Sequence, residues 1–212
     1  MHAKEELSAT QYNGLIGIIL LYGFCVNYLM IQKFTEVFLS WNLGLLLLGF
    51  MVLGIIGAIM SKASDSPIIS LIGYNLLVVP TGAVLSVCLS GVSPDLVKNV
   101  ILVTAAVTAI MLAASTFFPK VFYSMGSILL ISLSAVVVVE LILVLILGMT
   151  MPTLWHVIVT LIFCGYIGYD WAVAQNGPYT VDNAIDVCVD LYLDIVNLFL
   201  RLLSIMESND DD

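Results

Sequence analysis

The stretch VDNAIDVCVDLYLDIVNLFLRLLSIM, residues 181–206, combines an apolar, membrane-like composition with a regular series of acids. Aspartate recurs at every fourth position, at Asp182, Asp186, Asp190 and Asp194. Residues four apart lie on the same face of an α-helix, so these carboxylates form one stripe. An ionised carboxylate in hydrocarbon costs about 2.5–3.5 kcal/mol even on a lenient insertion scale. The stripe therefore predicts a helix that lines a polar cavity inside a bundle.

The composition identifies the class of protein. Of 212 residues, 61% are hydrophobic and 10% are charged, whereas soluble domains are about 45–50% apolar and about 25% charged. A polytopic membrane protein is expected, with the lipid bilayer as its surroundings. The net charge of −9 and the lack of a basic patch exclude nucleic acid as a partner. The cysteines fall in apolar segments without metal-site spacing and are read as packed thiols: Cys25, Cys88, Cys164 and Cys188.

Seven apolar segments follow one another along the chain. They cover approximately residues 13–32, 37–60, 68–90, 97–118, 123–148, 154–175 and 181–206. Each is long enough to cross a bilayer core of about 30 Å at 1.5 Å per residue. The predicted fold is all-α, a single transmembrane domain of seven helices over residues 1–212, with the first turn at Lys33 and Glu36. The connections are too short to hold a site outside the membrane.

Asp170 in the sixth segment and Asp194 in the seventh stand on helices that a short connection makes antiparallel neighbours. Two carboxylates in one desolvated site cannot both ionise cheaply, so they would share a proton and sense pH near neutrality. If both stretches are regular helix, their depths differ by about 10 Å, and each aspartate would then cap a backbone group or face loop water. The shared site is the interpretation we favour.

The remaining acids of the stripe and Glu140 also require an explanation. Asp190 and Asp186 predict an acidic vestibule that attracts cations. An acid in the first turns of a helix is also favoured by the helix N-terminus, which accounts for Asp182 and serves equally well for Asp186. Glu140, among valines and leucines of the fifth segment, needs a partner or a proton. It lines the same cavity, or it hydrogen-bonds a neighbouring helix as a neutral acid.

Basic residues are scarce, and two of them stand where they could hold a carboxylate. Lys62 ends the second segment, and Arg201 lies seven residues after Asp194. Either could form a latch whose salt bridge breaks when aspartates take up protons. Both could equally sit at the interface against lipid phosphate. His156, near one end of the sixth segment, is expected to be solvated.

The end of the chain, GYIGYDWAVAQNGPYTVDNAIDVCVDLYLDIVNLFLRLLSIM, resembles the Bax-inhibitor-type transmembrane family (the TMBIM group). Tyr169 and Asp170 form the Tyr-Asp motif of the family's sixth helix. Residues 191–200, LYLDIVNLFL, are similar to the seventh-helix motif LYLDIINLFLxLL. The resemblance is strong over about 40 residues and otherwise rests on the number and length of the segments.

This resemblance implies a bundle of seven helices in which the last is central and the other six surround it. It also implies a pH-dependent calcium leak, with Asp170 and Asp194 as the pH-sensing pair. An arginine near the end of the family's second helix latches to that pair. Lys62 is its nearest counterpart here, and an ammonium cannot make the bidentate fork of a guanidinium. Compact loops and three terminal aspartates, Asp210, Asp211 and Asp212, suggest a prokaryotic member in the plasma membrane.

We therefore expect a pH-sensitive calcium leak channel gated by Asp170 and Asp194, with no enzymatic activity and no bound cofactor. Calcium and protons are its expected ligands, because oxygen ligands suit a hard cation that passes or binds transiently at these aspartates. One alternative is a proton-coupled transporter, which the lack of an internal repeat disfavours. An intramembrane aspartyl protease would need a GxGD motif, which the chain lacks. The sequence specifies no orientation or oligomeric state, and a monomer is compatible with it.

Overall fold

The computed structural model describes residues 6–210, and in that range the chain is all-helical without a β-strand. The all-α prediction is thereby confirmed. Asp211 and Asp212 lie outside the described residues. The elements, in chain order, are α1 (Ala9–Leu39), α2 (Leu43–Lys62), α3 (Pro67–Cys88), α4 (Pro94–Phe117), α5 (Pro119–Tyr123), α6 (Gly126–Glu140), a π-helix (Leu141–Ile146), α7 (Thr153–Asn176) and α8 (Val181–Asp210).

Side-chain caps define where several of these helices begin. Ser8 and Gln11 form a capping box at the start of α1, in which each side chain bonds the other residue's backbone N–H. Asn42 Oδ1 accepts a hydrogen bond from Leu45 N–H at the start of α2, with an N···O distance of 3.1 Å. These bonds satisfy backbone donors that have no partner within the helix.

The turn predicted at Lys33 and Glu36 is wrong. Helix α1 continues through both residues to Leu39, and the turn before α2 is Ser40–Asn42. Both charged side chains are exposed on the helix surface, and no glycine or proline interrupts this part of the chain. Charge alone does not end a helix, whereas a side chain that caps the following one, as Asn42 does, marks its start.

The fifth predicted segment, 123–148, also differs from a single helix. It begins as an α-helix only at Gly126 and changes to a π-helix directly after Glu140. Tyr123 belongs to the separate short helix α5, and Gly148 has a positive φ of 63° in the connection that follows. The chain therefore leaves the α-helical register immediately after its one acidic residue in this segment.

Among the described residues, six helices are long and apolar enough to cross a membrane: Ala9–Leu39, Leu43–Lys62, Pro67–Cys88, Pro94–Phe117, Gly126–Val144 and Thr153–Asn176. The protein is accordingly a multi-pass integral membrane protein. Helix α8 is not one of the six, because its four aspartates and Arg201 make it too rich in charge. The structure thus supports six of the seven predicted spans by length and composition.

The chain divides into two compact units. The first contains Met1–Val92 and Gly177–Tyr192, which include α1, α2, α3 and the first part of α8. The second contains Ser93–Asn176 and Leu193–Asp212, which include α4 to α7 and the rest of α8.

In the first unit, glycines let α2 and α3 pack backbone against backbone. A Cβ on Gly57 would lie 2.4 Å from the Gly73 carbonyl oxygen, and a Cβ on Gly73 would lie 2.5 Å from the Gly57 oxygen. Neither position has room for a larger residue. Small residues that allow such an approach are the usual means of packing membrane helices.

The first part of α8 runs parallel to α1. Near the start of both helices, Asn183 Nδ2 donates to Tyr12 Oη over 2.7 Å. Further along both helices, Asn27 Nδ2 donates to Tyr192 Oη. The contacts therefore advance in the same direction on each helix. Ala184, Cys188 and Tyr192 have no exposed surface, so this part of α8 is enclosed. Whether α8 is central to the whole bundle stays a prediction.

In the second unit, glycines on α7 receive side chains from neighbouring helices. A Cβ on Gly168 would lie 2.3 Å from the Phe122 ring, and one on Gly165 would lie 2.7 Å from Leu129. Ser115 Oγ of α4 donates to the Gly168 carbonyl oxygen over 2.6 Å. Helix α7 is thus held closely against α4, α5 and α6.

Candidate functional site

The acidic stripe is present as predicted from its spacing, on a helix that is continuous from Val181 to Asp210. Its carboxylates are separated by about 6 Å along the helix axis, at four residues of 1.5 Å each. Asp182 and Asp194 are buried, and Asp186 and Asp190 are half-buried. Asp182, Asp186 and Asp190 belong to the first unit and Asp194 to the second. The stripe therefore faces protein over most of its length.

Two serines hold the first two carboxylates of the stripe. Ser70 Oγ, in the first turn of α3, donates to Asp182 Oδ1 over 2.7 Å. Ser61 Oγ, near the end of α2, donates to Asp186 Oδ1 over 2.5 Å. Both serines are fully buried. The end of α2 and the start of α3 therefore both contact the face of α8 that carries Asp182 and Asp186.

Lys62 holds the third carboxylate. Its Nζ lies 2.7 Å from Asp190 Oδ1, and the two side chains are 53% and 35% exposed. Lys62 is the last residue of α2, so its long side chain extends along α8 toward Asp190. Lys62 was predicted to be able to reach a carboxylate, and in the structure it pairs with Asp190, one helical turn before Asp194.

Asp170 and Asp194 both lie in the second unit, on regular α-helix. Asp194 is only 7% exposed, and Asp170 is half-buried. The two aspartates stand on consecutive helices of the same unit. That they share a proton stays a prediction.

Glu140 and Arg201 form a two-bond fork in the second unit. Arg201 Nη1 lies 2.7 Å from Glu140 Oε1, and Arg201 Nη2 lies 2.9 Å from Glu140 Oε2. Trp155 Nε1 also donates to Glu140 Oε1, over 2.8 Å. Neither interpretation of Glu140, as a cavity-lining acid or as a neutral acid bonded to a neighbouring helix, included this ion pair. Arg201 makes its ion pair here and not with an aspartate of the stripe.

Further contacts surround the fork. His156 Nδ1 lies 3.4 Å from Arg201 Nη1, so His156 is half-buried beside the guanidinium and not simply solvated. Thr153 Oγ1 and Ser208 Oγ are 2.7 Å apart and join the start of α7 to the end of α8. The positive charge of Arg201 compensates the negative charge of Glu140 in this structure. Glu140 is therefore less able to attract a free cation.

The sequence reasoning missed Ser61, Ser70 and Trp155. A usable signal was present for the serines, because Gly57 and Ser61 are four residues apart on α2, and Ser70 and Gly73 are three apart on α3. Such spacing of small residues marks one close-packed helix face. Trp155 carried no comparable signal, since a tryptophan at the end of a membrane segment is ordinarily an interfacial anchor.

The described acidic residues do not cluster in the way that a metal site of several side chains requires. Within residues 6–210, no group of three or more His, Cys, Asp or Glu side chains is close enough to hold one. Calcium takes six to eight oxygen ligands. A calcium ion at Asp170 and Asp194 would therefore depend largely on water and backbone oxygens, as is suitable for an ion in transit.

Comparison with known proteins identifies a family that matches most of the chain. Residues 8–211 match the family model described as "Inhibitor of apoptosis-promoting Bax1". The BI1-like protein of Arabidopsis thaliana is 39% identical over 105 residues, 47% of this chain and 41% of that protein. Protein LIFEGUARD 3 of the same organism is 42% identical over 62 residues, 29% of this chain and 25% of that protein. The matched stretches thus span less than half the length of these relatives.

Proposed function

We propose that this chain, which belongs to the Bax inhibitor family, is a pH-sensitive calcium leak channel gated by protonation of carboxylates on its last two helices. Asp170 and Asp194 are the proposed sensor, and Lys62 is the proposed latch. The relatives that support the assignment are matched over less than half their length, so the activity rests on the geometry of this chain's own residues.

The ion pair of Lys62 with Asp190 is the observation that carries the proposal. It fastens the end of α2 to the acidic stripe one helical turn before Asp194. A proton taken up at Asp194 would change the packing of this stretch of α8 and so weaken the attraction. Because both side chains are partly exposed, protons and water can reach the pair. Such a contact biases an equilibrium between a closed and an open arrangement of the two helices.

Asp194 is the proposed sensor because it is buried and lies one turn beyond the latch. A buried carboxylate changes its surroundings strongly when it gains or loses a proton. Asp170, on the preceding helix of the same unit, is the group with which it would share that proton. In this scheme Asp186 and Asp190 attract cations to the path once Lys62 has moved away.

We further propose that α8 crosses the membrane as a seventh span. The parallel packing of α8 on α1 supports this, because six crossings return the chain to the side on which α1 begins. Leu7 N also donates to the Tyr179 carbonyl oxygen over 2.7 Å, which places the stretches before α1 and before α8 together. The compact connections are compatible with a prokaryotic plasma membrane as the location.

The direct test is calcium flux into liposomes that contain the purified protein and a calcium dye, measured across pH. The wild type should show a leak that increases as pH falls. Asp194→Asn and Asp170→Asn should remove most of the pH dependence, whereas Asp95→Asn, an acid in the first turn of α4, should not. Equal pH profiles for all three variants and the wild type would refute the sensor.

A further inference from the structure

We propose that the fork between Arg201 and Glu140 is a fixed anchor for the C-terminal part of α8, so that acid moves only the part of α8 held by Lys62. This inference rests on the proposed function, because it assigns different roles to the two cations that hold the last helix. Lys62 is the contact that releases, and Arg201 is the contact that stays.

The two ion pairs differ in the chemistry of their cations. Arg201 uses two nitrogens on two oxygens of Glu140, at 2.7 and 2.9 Å. The Trp155 indole also donates to the same carboxylate. Lys62 instead presents to Asp190 an ammonium, which is a compact point charge. A planar guanidinium in a bidentate pair is held in orientation as well as in position.

The two pairs also differ in their access to water. The side chains of Arg201 and Glu140 are 19% and 23% exposed, whereas those of Lys62 and Asp190 are 53% and 35% exposed. Water competes for the partners of an exposed pair and screens their attraction. Separation of the fork would instead leave a guanidinium, which cannot lose its proton, in partly apolar surroundings.

The charged groups around each pair are consistent with this division. His156 of α7 faces Arg201 and Glu140, and it lies 3.4 Å from the guanidinium. Lys62 of α2 faces Asp190, which Asp186 and Asp194 flank on α8 itself. The first group therefore carries a balanced charge, and the second carries an excess of acid that protons would neutralise.

The position of the fork in the chain suits an anchor. Glu140 is the last residue of α6, directly before the π-helix Leu141–Ile146, where the backbone hydrogen-bond register changes. Near the far end of α8, Ser208 bonds Thr153 of α7. The C-terminal part of α8 is thus held at two successive places in the second unit, by α6 and by α7.

Distances between spin labels test the proposal in the whole protein in lipid nanodiscs. One pair at Ala63 and Val181 reports on the first unit, and a second pair at Leu147 and Glu207 reports on the second. All four side chains are exposed, and none belongs to either ion pair. The four native cysteines are first replaced by alanine, and flux through this background is compared with that of the wild type.

The expected result is that lowering the pH from about 8 to about 5 changes the 63–181 distance distribution and leaves the 147–207 distribution unchanged. Arg201→Lys, which keeps the charge and loses the fork, should broaden the 147–207 distribution already at pH 8. A double variant Glu140→Arg with Arg201→Glu reverses the pair. Its 147–207 distribution should be narrower than that of Arg201→Lys.

Three results would overturn the anchor: an acid-induced change at 147–207, an unchanged 63–181 distribution, or no effect of Arg201→Lys on 147–207. The first and third can occur while the wild type still leaks calcium in a pH-dependent manner, and in that case only the anchor is refuted. An unchanged 63–181 distribution beside such a leak would also refute the Lys62 latch. Absence of pH-dependent flux in the wild type would refute the proposed function itself. The wild-type pH comparison needs no fork variant, so a variant that fails to fold leaves the test intact.

Discussion

Lys62 pairs with Asp190, the aspartate one helical turn before Asp194, and so joins the last residue of α2 to the middle of the acidic stripe. Ser61, its neighbour in sequence, bonds Asp186 a further turn back. The end of α2 therefore holds two successive carboxylates of α8 through two consecutive residues. A movement of this helix end would release both contacts together.

Substitution of Lys62 should change the leak in opposite directions according to the new side chain. Lys62→Met removes the ion pair and should raise the calcium leak several-fold at neutral pH. Lys62→Arg can form a bidentate pair with a carboxylate, so its acid activation should require a lower pH. Liposome flux across pH measures both effects.

The control for Lys62 is Lys33→Met, which removes an exposed lysine from α1 and should leave the flux unchanged. A Lys62→Met leak equal to that of the wild type at every pH would show that this pair is not a latch.

The two residues of the fork should differ in how much their loss destabilises the protein. Arg201→Gln leaves Glu140, which can become neutral by taking up a proton. Glu140→Gln leaves Arg201, which stays charged at any accessible pH. We expect Glu140→Gln to lower the free energy of unfolding by about 3 kcal/mol and Arg201→Gln to lower it clearly less, as measured by unfolding in mixed micelles. The double variant Glu140→Gln with Arg201→Gln should be more stable than Glu140→Gln alone. Equal losses for the two single variants would contradict this account.

Alanine at Gly73 should separate α2 from α3. A Cβ there would lie 2.5 Å from the Gly57 carbonyl oxygen and 2.9 Å from Ser61 N, which are backbone atoms that cannot rotate away. We expect a loss of about 1–3 kcal/mol, measured as a lower Tm in detergent. Gly49→Ala is the matched control, since nothing lies within 4 Å of its Cβ position. It should be neutral or slightly stabilising through helix propensity, and a similar loss in both variants would refute the close packing.

Ser61→Ala should weaken the contact of α2 with the stripe. It removes the hydrogen bond to the Asp186 carboxylate, and a bond to a charged group is worth about 1.5–3 kcal/mol. The same thermal unfolding assay should show the loss. Ser204→Ala removes only a bond to the Leu200 carbonyl of its own helix and should have little effect. Equal stability of both variants would mean that the Ser61 contact contributes nothing.

Periodicity made the helices and the acidic stripe predictable. Long apolar runs in a bilayer must satisfy their backbone groups internally, so they form helices. The four-residue spacing of the aspartates places them on one face in any α-helix. A turn at Lys33 does not form, because a charged residue can stay on an exposed helix surface, whereas the Asn42 cap marks the start of α2.

Partners of the charged residues were less predictable, because they depend on which helices meet and at which register. Arg201 and Glu140 are 61 residues apart in sequence. Nothing in the sequence around either residue indicates that the other is its partner. Lys62 was recognised as able to reach a carboxylate, but its selection of Asp190 depends on where α2 ends beside α8.

The sequence by itself determined an all-helical membrane protein with one acidic helix face, because hydrophobic length and helical spacing are local properties. The tertiary structure alone decided that Ser70, Ser61 and Lys62 hold Asp182, Asp186 and Asp190, and that Arg201 is committed to Glu140. Buried polar groups must find partners, and only the packing of distant helices, set by contacts such as that of Gly57 with Gly73, determines which partners are within reach.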